Sequence, residues 1–71
     1  MTAATKDLTP RDAIRRLQRI DVTAKEWCER AEVSVSTWQR WQRGAHEPRA
    51  STRRVLAMAL CAMERERGRD D

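Results

Sequence analysis

Apolar residues recur along the chain at helical spacing in four stretches, separated by short polar connections, and no stretch alternates with a period of two. The first stretch sets Ile14 and Leu17, with Ala13 and Ile20 beside them, opposite Arg11, Arg15, Arg16 and Arg19. Its start is marked by Thr9 as a cap, by Pro10 at a position that suits its fixed φ and missing N–H, and by Asp12 three residues after the cap. The second opens on Thr23 and Glu26, spaced as a capping box, with Val22 and Trp27 spaced as a hydrophobic staple. It places Trp27, Cys28 and Ala31 on one face and Lys25, Glu26, Glu29 and Arg30 on the other, and should end near Ala31 or Glu32. The third repeats this grammar, with Ser34 as cap and Val33 and Trp38 as staple. Trp38 and Trp41 share a face, Gly44 sits where a positive φ would stop the helix, and Pro48 blocks its resumption. A last helix is expected from about Ser51 to Arg67, with Val55, Leu56, Ala59, Leu60 and Met63 as its core stripe and Gly68 as its stop. The pattern predicts an all-α, compact helical domain of four or five helices.

A chain of 71 residues suits one small domain. Residues 1–8 read as a loose polar arm, 9–67 as the domain and 68–71 as a charged tail. On the last helix Ala57, Met58 and Cys61 form a second, narrow apolar strip, either a homodimer seam or incidental surface residues. Cys28 and Cys61 do not make a C-x-x-C pair and His46 has no second ligand at metal spacing, so neither a metal, a disulfide nor any other cofactor is expected. No basic-then-apolar leader opens the chain and the longest apolar run, Val55 to Met63, is too short to span a bilayer, which predicts a soluble cytoplasmic protein without a membrane partner. Enzyme readings lack parts: Cys28 sits at a packing position, Ser34 and Ser36 have no nearby histidine, and no glycine loop could cradle a phosphate.

The net charge is +4, and residues 34–54 alone carry +4. A positive excess concentrated on the third helix and the loop after it suits a polyanion, because neutralising phosphates releases condensed counterions. Solvated arginines on helix faces are the plainer alternative. The three tryptophans could stack on single-stranded bases. Their spacing opposite the polar face, in a chain without Phe or Tyr, favours burial as the bulk of the core.

Two short helices joined by the tight turn Glu32, Val33, Ser34 have the spacing of a helix-turn-helix over about 23–43, with Cys28, Ala31, Val33, Trp38 and Trp41 at the contact. The run from Ala24 to Gly44, AKEWCERAEVSVSTWQRWQRG, resembles the lambda-repressor and Cro-like (XRE-type) helix-turn-helix family. The closing Trp41-Gln-Arg-Gly-Ala-His-Glu-Pro48 is similar to that family's W-E-R-G-x-x-x-P ending, and the resemblance covers about Pro10 to Leu60. Three departures stand out. Glu32 occupies the turn position usually held by glycine, so the turn either avoids positive φ or strains Glu32. Gln42 replaces the usual Glu and removes a potential ion pair with helix 1, and one long final helix replaces the usual pair.

The resemblance implies a reader of double-stranded DNA whose third helix lies in the major groove. By position it places Val35, Ser36, Gln39 and Arg40 against base edges: Arg40 suits guanine, Gln39 adenine and Val35 a thymine methyl. Phosphate contacts would come from Thr23, Lys25 and Thr37, and from Arg43, His46, Arg49 and Arg53. Each of these is otherwise an ordinary solvated position. The expected function is a sequence-specific regulator, a small repressor of the kind found in phages, mobile elements or antitoxin operons, acting as a homodimer on an operator. The rival is a protein-binding adaptor, antitoxin or inhibitor on the same fold.

Overall fold

The computed structural model describes residues 8–68, so the expectations for residues 1–7 of the arm and 69–71 of the tail lie outside it. Four helices follow one another: α1 (Pro10–Arg19), α2 (Ala24–Ala31), α3 (Val35–Gln42) and α4 (Ala50–Gly68). No strand occurs among the described residues. Leu8 corrects the expected arm boundary, for it is buried in the core and ties the entry of α1 to the domain.

The first three helices begin on the side chains that the sequence marks. Thr9 Oγ1 accepts from the Asp12 amide at 3.2 Å, and Pro10 takes the first helical position. Thr23 and Glu26 complete a reciprocal capping box, with Thr23 Oγ1 accepting from the Glu26 amide at 3.2 Å and Glu26 Oε1 from the Thr23 amide at 3.3 Å. Ser34 Oγ accepts from the Thr37 amide at 3.3 Å.

These helices also end alike. Asp21 (φ 60°), Glu32 (φ 60°) and Gly44 (φ 78°) are left-handed, and each donates its amide three residues back. The next residue then reaches further into the helix: Val22 N–H to Leu17 O at 3.0 Å, Val33 N–H to Cys28 O at 2.9 Å and Ala45 N–H to Arg40 O at 2.9 Å. This is the Schellman pattern, which satisfies carbonyls that a helix end leaves open. Glu32 therefore takes the strained alternative of the two that its position allowed. Val22 and Val33 each serve twice, closing the helix behind and preceding the cap of the helix ahead while packing on the core.

The core is built around Trp27, fully buried, whose Nε1–H donates to the Leu56 carbonyl at 3.0 Å and docks α2 on α4. Trp38 meets Trp27 edge to face at 5.0 Å, and Trp41 meets Trp38 in the same way at 5.9 Å. All three indoles are buried, as expected of core residues rather than of stacking platforms.

α4 presents a different face from the one its composition suggests. Leu56, Ala57, Leu60 and Met63 are buried, Ala59 is half-buried, and Val55 is 44 % exposed, so Val55 leaves the expected stripe and Ala57 enters it. The reason lies in polar anchors on the Leu56–Leu60–Glu64 line. Trp27 holds the Leu56 carbonyl, and the Arg16 guanidinium grips Glu64 through Nε at 2.8 Å and Nη2 at 2.6 Å. Further along, Arg30 pairs with Glu66 at 3.0 and 2.6 Å, and Arg67 donates to the Ile20 carbonyl at 3.4 Å. The helix continues to Gly68 itself.

Two outcomes follow for stability. Glu32→Gly should relieve the left-handed strain and raise stability by about 1 kcal/mol, or about 4–8 °C in Tm, in a thermal melt; a lower Tm would mean that the Glu32 side chain contributes more than its backbone costs. The Arg16 hydrogen bonds hold the Glu64 carboxyl below its ordinary 4.5, against the opposing effect of partial burial. A depressed carboxyl contributes stability above its ordinary value and loses it as pH falls through the lowered one. Urea unfolding at pH 7 and pH 3 should therefore show a smaller acid-side loss in Glu64→Gln than in the native chain, and equal losses would remove Glu64 as a source of acid sensitivity.

Candidate nucleic-acid interface

α3 is held by one face and open on the other. Trp38 and Trp41 lock the inner face, while Ser36, Gln39 and Arg40 are exposed and Val35 is half-buried at the helix start. All four candidate base readers thus belong to the first six residues of one anchored helix. The Ser34 and Thr37 hydroxyls lie 3.1 Å apart beside that face, so Thr37 is engaged in the cap as well as being a candidate phosphate contact.

The candidate phosphate contacts divide into groups. Thr37, His46 and Arg49 come together with Arg40 around one open pocket of about 300 Å³, between α3 and the start of α4. The loop is held there by the amides of Ala45 and His46, both on the Arg40 carbonyl, at 2.9 and 3.3 Å, and by the burial of Pro48. Ser51 and Thr52 complete the lining. These two were not among the expected site residues; their only sequence signal is a pair of hydroxyls in the first turn after a Pro-Arg step.

Arg43 faces another way. It lines a larger groove of about 720 Å³ between the start of α1 and the end of α3, with Arg11 and Gln42 on its rim and Ile14 and Trp41 among its apolar residues. Gln42, where an acidic residue would have faced helix 1, shares this groove with Arg11. Arg53 is half-buried and paired with Glu47, which makes it a loop fastener rather than an open cation. Thr23 and Lys25 are exposed at the start of α2, with Thr23 Oγ1 engaged in its capping box.

The dimer candidates also divide. Ala57 is buried at 3 % exposure and so belongs to the core, whereas Met58 is 62 % exposed and Cys61 is exposed. With Arg65 they border a depression of about 160 Å³ on the outer face of α4. Arg16 Nη2 also reaches Cys61 Sγ at 3.7 Å. Burial pushes the Cys28 thiol up from its ordinary value. Among the described residues no three His, Cys, Asp or Glu side chains gather as a metal site, and no helix is long and apolar enough to cross a membrane.

Comparison with known proteins finds no matching protein-family model, no matching curated protein and no matching solved structure.

The geometry of the α3 stop can be checked directly. No atom lies within 4 Å of where a Gly44 Cβ would stand, so Gly44→Ala meets no clash and only the cost of its positive φ. A loss of about 1 kcal/mol is expected by urea unfolding; a neutral effect would mean that the loop takes up another conformation.

Proposed function

We propose that the protein is a sequence-specific reader of double-stranded DNA and a small transcriptional repressor, with α2 and α3 as a helix-turn-helix of the lambda-repressor and Cro-like kind. The observation that carries this reading is the division of α3. One face is immobilised by buried tryptophans and the other offers Ser36, Gln39 and Arg40 to solvent, beside a pocket rich in cationic side chains. At about 1.5 Å per residue, α3 is about 12 Å long, enough to follow roughly four base pairs of a major groove.

In this reading Val35, Ser36 and Gln39 face base edges, Arg40 stands at the border between bases and backbone, and Thr37, His46 and Arg49 grip phosphate on one flank. The amides and hydroxyl at the start of α2, with Lys25, supply the other flank. Arg53 acts through Glu47 by fixing the loop that carries His46 and Arg49. Repression needs no further part, since occupying a promoter excludes polymerase. A homodimer would use the outer face of α4 at Met58 and Cys61 and would match two half-sites about one helical turn apart. Binding of this kind uses no cofactor and no catalytic group.

Selection from a random duplex library at near-physiological salt tests the reading. The expected result is an enriched palindrome with half-sites about 10 base pairs apart. A single unpaired half-site would remove the dimer and keep the reader. No enrichment at all would overturn the DNA reading in favour of a protein-binding adaptor.

A further inference from the structure

The pocket between α3 and α4 gathers more donors than a solvated surface requires. Arg40 and Thr37 line it from α3, His46 and Arg49 from the loop, and Ser51 and Thr52 from the start of α4, with the Thr37 hydroxyl also meeting the Ser34 hydroxyl at 3.1 Å. No carboxylate lines it: Glu47, the only acidic residue between 34 and 54, is held by Arg53 and borders the separate groove at Arg43. The pocket also lies at the positive end of α4. The first amide there to find a helical acceptor is that of Arg53, on the Arg49 carbonyl at 2.9 Å, which leaves the preceding amides of the turn without a partner inside the helix.

Guanidinium, imidazole, hydroxyl and amide donors from three segments, without a carboxylate to answer them, suit a tetrahedral anion with several oxygens better than a base edge. A guanine offers two acceptors in one plane, at the floor of a groove. We infer that Arg40 and Arg49, with His46 and the Thr37, Ser51 and Thr52 hydroxyls, form a receptor for a single phosphate group. It follows, resting on the DNA reading above, that Arg40 clamps the backbone and base discrimination falls to Val35, Ser36 and Gln39. The amides of Ala45 and His46 both donate to the Arg40 carbonyl, which holds the loop close to the base of the Arg40 side chain.

The test compares the native chain with Arg40→Ala, Arg40→Lys and Arg49→Ala, all at exposed positions and checked for folding by circular dichroism. Affinity is measured for duplexes that differ at single base pairs, over a range of salt. In parallel, amide spectra of the protein alone are followed with inorganic phosphate, against chloride at equal ionic strength. Arg40→Ala and Arg49→Ala are expected to weaken every duplex by the same factor and to lower the salt slope by about 0.9 each. Arg40→Lys should restore most of the loss without changing base preference, because a phosphate accepts the point charge of an ammonium in many orientations.

Saturable phosphate shifts at Thr37, His46, Ser51 and Thr52 that vanish in Arg49→Ala would show that the receptor also takes a free phosphate group. Uniform duplex losses without such shifts would confine it to phosphate delivered by a DNA backbone. A change of preference at one base position in Arg40→Ala would overturn the inference and make Arg40 a base reader. If the native chain binds no duplex, the DNA reading fails by itself; the receptor then stands on saturable phosphate shifts and falls on a flat titration.

Discussion

The fold depends on the indole of Trp27. It is fully buried, it donates to the Leu56 carbonyl in the first half of α4, and it packs edge to face with Trp38. One side chain therefore fixes α2 against the longest helix and supports α3 from beneath. A small domain buries only a modest fraction of its surface and has little stability to spare. Concentrating the core in three indoles, packed edge to face in succession, supplies bulk that a chain without Phe or Tyr would otherwise lack. The hydrogen bond adds direction to that bulk, since it selects one rotation of α4 among several that its apolar residues would permit.

That choice of rotation explains why the helix starts were legible in the sequence and the face of α4 was not. Thr9, Thr23 and Ser34 act within three residues of themselves, and a local rule suffices to read them. Val55 and Ala57 are both apolar residues on one helix, and helical spacing alone ranks the larger one as core. The outcome is decided by Arg16 on Glu64 and Trp27 on Leu56, contacts spanning 48 and 29 residues that no spacing rule contains. Leu8 escapes a local rule for the same reason, because its polar neighbours look like an arm while its burial depends on packing partners elsewhere in the chain. Asp21 carries a positive φ without the glycine that would have announced it.

The candidate interface was legible as a set of residues but not as an arrangement. Charge counting located the excess on residues 34–54, and the cap of α3 indicated which side chains would stand free. It could not separate Arg43, which borders the α1 groove, from Arg40, His46 and Arg49, which share a pocket. Nor could it reveal that Glu47 engages Arg53 and so subtracts one cation from the open set, while no carboxylate lines the pocket itself. Position along a chain gives a charge; the loop fold decides which charges act together.

The double use of Val22 and Val33 has a consequence for how the domain tolerates change. Each valine sits where the closing hydrogen bond of one helix and the entry to the next helix meet, with no residue to spare between them. A residue inserted into either connection would move the valine away from one of its two roles, so α1, α2 and α3 behave as links without slack. An inserted residue is therefore best accommodated in the loop between α3 and α4, the one connection among the described helices whose ends are not bound by such a shared residue. It is also the connection that carries His46 and Arg49, so a change of length there would move these two cations relative to Arg40 while keeping the same scaffold.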